Sequence, residues 1–179
     1  MKYEFTWREK TMFRKKSLFV PAALILASFV GVSAANAQST ACLYTNASLQ
    51  GNYAIVANYG SNVAAALGSE YLDGNGIMTR TSLINEPTPG STTGARTIVT
   101  TTQTGTYTVN CNGTGQFWRT ITQANGTVTT GVDDFIITGA TKTWSGLMLA
   151  TGIADIQQGP SSIVPGGIFL SRAHTRLPN

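Results

Sequence analysis

Residues able to carry chemistry are scarce in this chain. Its 179 residues include one histidine, two cysteines and eight acidic side chains. That scarcity excludes several functions at once. A lone histidine, His174, beside two cysteines that pair most simply with each other, cannot assemble a zinc site. No Gly-x-Ser-x-Gly context surrounds any of the serines, so a classical triad hydrolase is not expected. No phosphate loop is present, and no cofactor is implied. The apolar stretch Leu18–Val30 is short for a membrane span and is interrupted by Pro21.

Residues 1–37 read as an address. The basic run Arg14-Lys15-Lys16 leads into that apolar stretch, and small residues follow, ending in Ala35-Asn36-Ala37. This is the order of a secretory signal peptide with an A-x-A cleavage site. The basic region is long if counted from Met1, and Met12 gives a more ordinary start. An uncleaved anchor is the alternative, disfavoured by the length of the apolar run. The expected location is periplasmic or extracellular. Residues 1–37 carry six basic and two acidic side chains, and the remainder carries six of each. The net charge of +4 therefore belongs to the leader, and the mature part is neutral. Neither nucleic acid nor an anionic membrane has an electrostatic footprint to meet, and no stable membrane insertion is expected after cleavage.

The mature part, 38–179, suffices for one domain. Its abundance of Thr, Gly and Asn over helix-favouring residues points to an all-β fold. Cys42 and Cys111 are expected to form a disulfide, as an even pair in an exported chain most simply does. A lipid-modified Cys42 is the alternative, but the preceding Ser39-Thr40-Ala41 lack the expected leucine.

Three punctuated patterns organise the strands: Leu49–Ile55 with Gly51 and Tyr53, Tyr71–Met78 around Asp73-Gly74-Asn75-Gly76, and Thr104–Gly115 around Tyr107 and Cys111. Each joins β-forming residues to a Gly/Asn/Asp turn. Strands are expected at 50–58, up to Leu72, 77–84, 96–110, 115–122, 128–138, 142–151 and 168–173, with a short extra strand at 153–157. Gly139-Ala140 is read as a turn, and Ser61–Leu67 either as a short helix capped by Ser61 or as a loop. Eight strands joined mostly by short turns make an antiparallel up-and-down barrel; a two-sheet β-sandwich is the alternative.

Asp73-Gly74-Asn75-Gly76 lacks the ligand spacing of an EF-hand and reads as a hairpin turn. Asp133 and Asp134 would face opposite sides of a strand, which rules out a dyad, and the pair reads as a solvated turn or strand edge. His174 falls in the tail. Arg119 alternates with Phe117 and Ile121, and Arg172 with Ile168 and Leu170, so both lie on apolar strand faces. Each then either holds an anionic ligand group in a cavity or packs on an aromatic ring at a barrel end.

The order Gly51-x-Tyr53, Asp73-Gly74-Asn75-Gly76, Gly105-Thr106-Tyr107-x-Val109-x-Cys111-x-Gly113-Thr114 resembles a family of small exported bacterial proteins for which no catalytic residues are known to be assigned. The early Gly51-Asn52-Tyr53 and the late Arg172 also resemble the lipocalin-type, or calycin-like, barrel, in which an arginine of the last strand covers an aromatic ring near the first; allene-oxide-cyclase-like barrels share the shape. That resemblance implies an Arg172–Tyr53 contact. It also implies a non-enzymatic module binding a small apolar ligand, with Tyr53, Ile55, Tyr107, Phe117, Arg119 and Trp144 as candidate lining. A cofactor-free cyclase or isomerase, aided by Arg119 or a buried Glu70, and a structural or surface-interaction protein are the alternatives.

Overall fold

The computed structural model describes residues 41–60, 63–159 and 170–178. The expected leader, Ser61 and positions 168–169 lie outside them. Eight antiparallel strands follow one another in chain order: β1 (Gly51–Asn58), β2 (Ala65–Leu72), β3 (Ile77–Pro87), β4 (Arg96–Val109), β5 (Thr114–Gln123), β6 (Val128–Lys142), β7 (Met148–Gln157) and β8 (Ser171–Arg176). β8 pairs back onto β1, which closes the barrel and excludes the sandwich. The period-2 pattern sets the inner face. Tyr53, Ile55 and Ala57 of β1 are buried inside, while Asn52, Val56 and Asn58 are exposed outside.

Three local expectations are corrected. Ala65–Leu67 are not helical but open β2, where Ala66 turns inward and Leu67 outward; pairing with β1 and β3 overrides the alanine run's helix propensity. Gly139-Ala140 does not end a strand. The register shifts there by a bulge, and β6 continues to Lys142. The turn comes at Thr143–Gly146, where Thr143 N–H donates to Leu147 O (2.8 Å) and Gly146 adopts φ +91°. The seventh strand accordingly starts at Met148 and absorbs the extra strand expected at 153–157.

All three sequence patterns converge on one end of the barrel. Asp73 Oδ1 accepts from the N–H groups of Asn75, Gly76 and Ile77 (2.7–3.0 Å), which makes the hairpin turn. The Tyr107 hydroxyl accepts from Gly74 N–H (2.8 Å) and donates to Asn46 O (3.3 Å). Asn46 Oδ1 in turn accepts from Val109 N–H (2.9 Å). Asn46 opens a single 3-10 turn, Asn46–Leu49, that plugs this end and buries Leu49 completely. The Cys42–Cys111 disulfide staples the plug to the turn after β4.

Gly51 and Tyr53 serve the same end. The side chain that covers the Tyr53 ring is Arg176, not Arg172: its Cζ lies 5.0 Å from the ring centroid. Arg176 Nη2 donates to the Tyr53 hydroxyl (2.8 Å) and Nε to Ala150 O (2.6 Å). Register decides this, because Tyr53 pairs with Arg176 whereas Arg172 pairs with Ala57, two inward positions farther along. A side chain at Gly51 would collide with the Arg176 guanidinium, and its φ of +138° disfavours one anyway. Arg176→Ala should lower stability by about 2 kcal/mol, combining a cation–π contact with the lost hydrogen bonds. Urea unfolding would show it as a lower midpoint at unchanged slope.

Candidate functional site

The barrel interior is layered. At the plugged end Leu49, Tyr53, Leu72, Met78, Tyr107, Phe117 and Phe135 belong to one apolar cluster. At the other end Ala57, Tyr59, Ala64, Ala66, Ile84 and Leu170 form a second. Alternation along the strands places charges between them. On β2 Glu70 follows inward-facing positions from Ala66 and precedes Leu72; on β3 Arg80 stands between Met78 and Ile84; on β8 Arg172 and His174 follow Leu170.

Seven ionisable groups make this layer: Glu70, Arg80, Arg119, Asp133, Asp155, Arg172 and His174, each at most 5% exposed. Arg80 Nη2 donates to Glu70 Oε1 (2.6 Å). Arg119 grips Asp133 through Nε and Nη2, and its Nη1 donates to Gln103 Oε1 (2.8 Å). Arg172 Nε donates to Asp155 Oδ2 (2.9 Å). Its Nη2 stands 2.6 Å from Asp133 Oδ1, a second ion pair. His174 lies between two carboxylates, with Nδ1 2.8 Å from Glu70 Oε2 and Nε2 3.0 Å from Asp155 Oδ2. A neutral imidazole donates through one nitrogen only, so this geometry calls for the imidazolium. Phe117 divides the layers, stacked 5.8 Å from the His174 ring and tilted against Phe135 at 4.5 Å.

Burial opposes every charge here, and partners decide which groups keep theirs. Burial pushes Glu70 up, but Arg80 and His174 outweigh it and hold the carboxyl at about 2. Asp155 is likewise pushed up by burial yet held well below the usual carboxylate range by His174 and Arg172. For His174, burial pushes down while Glu70 and Asp155 raise it above its ordinary 6.5. Burial, then the nearby guanidinia of Arg172 and Arg80, lower Arg119. The linkage signs follow. The His174 contribution is complete below pH 6.5 and is lost as pH rises through its raised value. The Glu70 contribution is complete above pH 4.5 and is lost as pH falls toward about 2. Urea midpoints should therefore plateau between these limits and fall on both sides, and His174→Gln should remove the alkaline decline. A midpoint rising from pH 7 to 9 would contradict this.

The residues expected to line a ligand part company. Tyr53, Tyr107 and Phe117 are packed in the closed apolar end, and Ile55 is buried just beyond them. Arg119 belongs to the charged layer. Trp144 lies outside the barrel, fully exposed on the β6–β7 turn. Two further readings are corrected: His174 sits on the inner face of β8 and not in a tail, and Asp133, though opposite in direction to Asp134, is buried rather than solvated. Strand alternation carried a usable sign of the layer. Six of the twelve charged residues from position 38 onward, Glu70, Arg80, Arg119, Asp133, Asp155 and Arg172, are buried at inward positions. Among the described residues no group of three or more His, Cys, Asp and Glu side chains is arranged to hold a metal ion.

Among the described residues the two ends differ in burial. Opposite the plug, the inward-facing Val99, Ile121, Gln123, Thr129 and Gly131 of β4–β6 are only half-buried. Below them come Thr101, Gln103 and then Arg119, all buried. An open depression of about 640 Å³ bounded by Asn58, Asp134, Ile156 and Ser171 lies instead on the outer wall, where these side chains face away from the layer. Comparison with protein-family models, curated proteins and solved structures returned no match.

Proposed function

We propose that this chain is an exported, non-enzymatic binding module of the calycin-like kind, which takes a small, largely apolar ligand at the barrel end opposite the plug. The asymmetry of the barrel carries this reading: one end is plugged, stapled and filled with aromatic side chains, while half-buried Val99 and Ile121 line the other. The surface-exposed Cys42–Cys111 bond supports an oxidising, extracytoplasmic setting, since thiols at such a site stay reduced in the cytosol. Binding is favoured over a cyclase or isomerase activity because each carboxylate of the layer is already engaged by an arginine or by His174. The imidazole, held between two carboxylates, offers no lone pair for proton abstraction.

The test is a thermal-shift panel on the exported chain using uncharged and charged aliphatic compounds of six to twelve carbons. A saturable rise in melting temperature with at least one compound is expected. No shift with any of them at millimolar concentration would overturn the reading.

A further inference from the structure

We propose that the depression on the outer wall of β6, β7, β8 and β1 is a separate binding site, which takes a neutral oligosaccharide. It lies outside the barrel and does not rest on the reading above. The depression holds about 640 Å³, within the range of small-ligand sites. One level of the wall crosses it: Asp134 of β6 pairs with Ile156 of β7, Ile156 with Ser171 of β8, and Ser171 with Asn58 of β1. All four are exposed. Three strand spacings separate Asp134 from Asn58, about 14 Å along the wall, which calls for a ligand of more than one ring. Gly60 and Ser171 carry little or no side chain, so the wall sinks between Ile156 and Asn58.

Neighbouring bonds fix which polar atoms a ligand meets. Gln116 and Gln158 each donate Nε2 to Asp134 Oδ1 (2.9 Å), and they hold the carboxyl below its ordinary value. Asp134 Oδ2 accepts no hydrogen bond among the described residues and remains an acceptor. At the other side Gly60 N–H donates to Asn58 Oδ1 (2.8 Å), which commits that oxygen and leaves Nδ2 as a donor. The Ser171 hydroxyl between them can donate or accept. Ile156, 60% exposed, adds apolar surface in the middle. The ligand must therefore donate to one side, accept from the other and lay C–H surface between. Sugar hydroxyls do both, and a sugar ring carries the C–H face. An anion would be repelled by Asp134, the one charged residue among the described residues lining the depression. A cation would set donor against donor at Asn58.

Titration of the isotope-labelled exported chain, followed through its backbone amide shifts, tests this with maltotriose, cellotriose and laminaritriose. Spermidine and trigalacturonate serve as the cationic and anionic comparators. At least one neutral trisaccharide should shift the amides of Asn58, Asp134, Ile156 and Ser171 saturably, and both comparators should bind about tenfold more weakly. Asp134→Asn should weaken trisaccharide binding about tenfold, because an NH₂ group takes the place of the acceptor Oδ2 while the glutamines hold the other atom. Asn58→Asp should weaken it roughly fivefold by the reverse exchange, with the Gly60 N–H still bonded. Neither substitution should move the urea midpoint, so both are read in a folded chain. Silence of all three trisaccharides at tens of millimolar, tighter binding of a comparator, or indifference to both substitutions overturns the assignment. None of these outcomes touches the aliphatic ligand at the barrel end, whose shifts would fall on Val99 and Ile121.

Discussion

Replacing Asp133 by asparagine should lower stability by at least about 3 kcal/mol, the scale of a broken buried ion pair. Asp133 is completely buried and serves two guanidinia: Arg119 by a two-pronged grip and Arg172 by charge at 2.6 Å. Asparagine keeps the shape and one acceptor, but turns an NH₂ group toward a guanidinium, so donor faces donor. Two cations then share a site with a single carboxylate, Asp155, within reach of one of them. Urea unfolding measures the loss. Asp134→Asn is the control, because this neighbour points outward to Gln116 and Gln158 in solvent, and it should leave the midpoint unmoved. Equal effects of the two substitutions would mean that the charged layer contributes nothing specific.

The second large effect concerns the staple. Cys42 and Cys111 enclose a sequence separation of 69 residues, and on the chain-entropy account such a loop contributes about 4 kcal/mol. The paired Cys42→Ala and Cys111→Ala substitutions should lose about that much in chemical unfolding. The bond also holds the Asn46–Leu49 plug against the turn carrying Tyr107 and Val109, so the aromatic end should gain hydrogen-exchange lability ahead of the charged layer. Because both cysteines are exposed, a reductant should reproduce the loss in the wild-type chain and have no effect on the doubly substituted one. Retained midpoints under reductant would show that the plug is held by packing alone.

The barrel was legible because its two signals are local. Alternation in Tyr53-x-Ile55-x-Ala57 and turns such as Asp73-Gly74-Asn75-Gly76 are read within a few residues. The cysteine pair was legible because the sequence holds only two cysteines, which leaves a single possible pairing. What failed depends on register across the sheet. Arg172 and Arg176 share one face of β8 four residues apart, and only the pairing with β1 tells which meets Tyr53. The bulge at Gly139 shifted the β6–β7 turn beyond any local cue, since a glycine marks a turn and a bulge equally well. The charged layer was half visible. Arg119 and Arg172 stood out on apolar faces, but their carboxylate partners come from β6 and β7, and Glu70 from β2, which sequence spacing alone does not bring together.

The closing seam sets a delivery order for the molecule. β8 is the final strand, and it brings both the partner that β1 needs and two members of the charged layer, Arg172 and His174. A chain delivered amino end first therefore displays Asp155 before its partners Arg172 and His174 have arrived, whereas Glu70 already has Arg80. Contacts of such long sequence separation form late and slowly. Hydrogen-bonded closure of the barrel and the pairing of Asp155 are reached in one event. A chain halted before residue 171 would be left with two raw sheet edges and an interior of unmatched charge, which marks it as unfinished to any protease it meets.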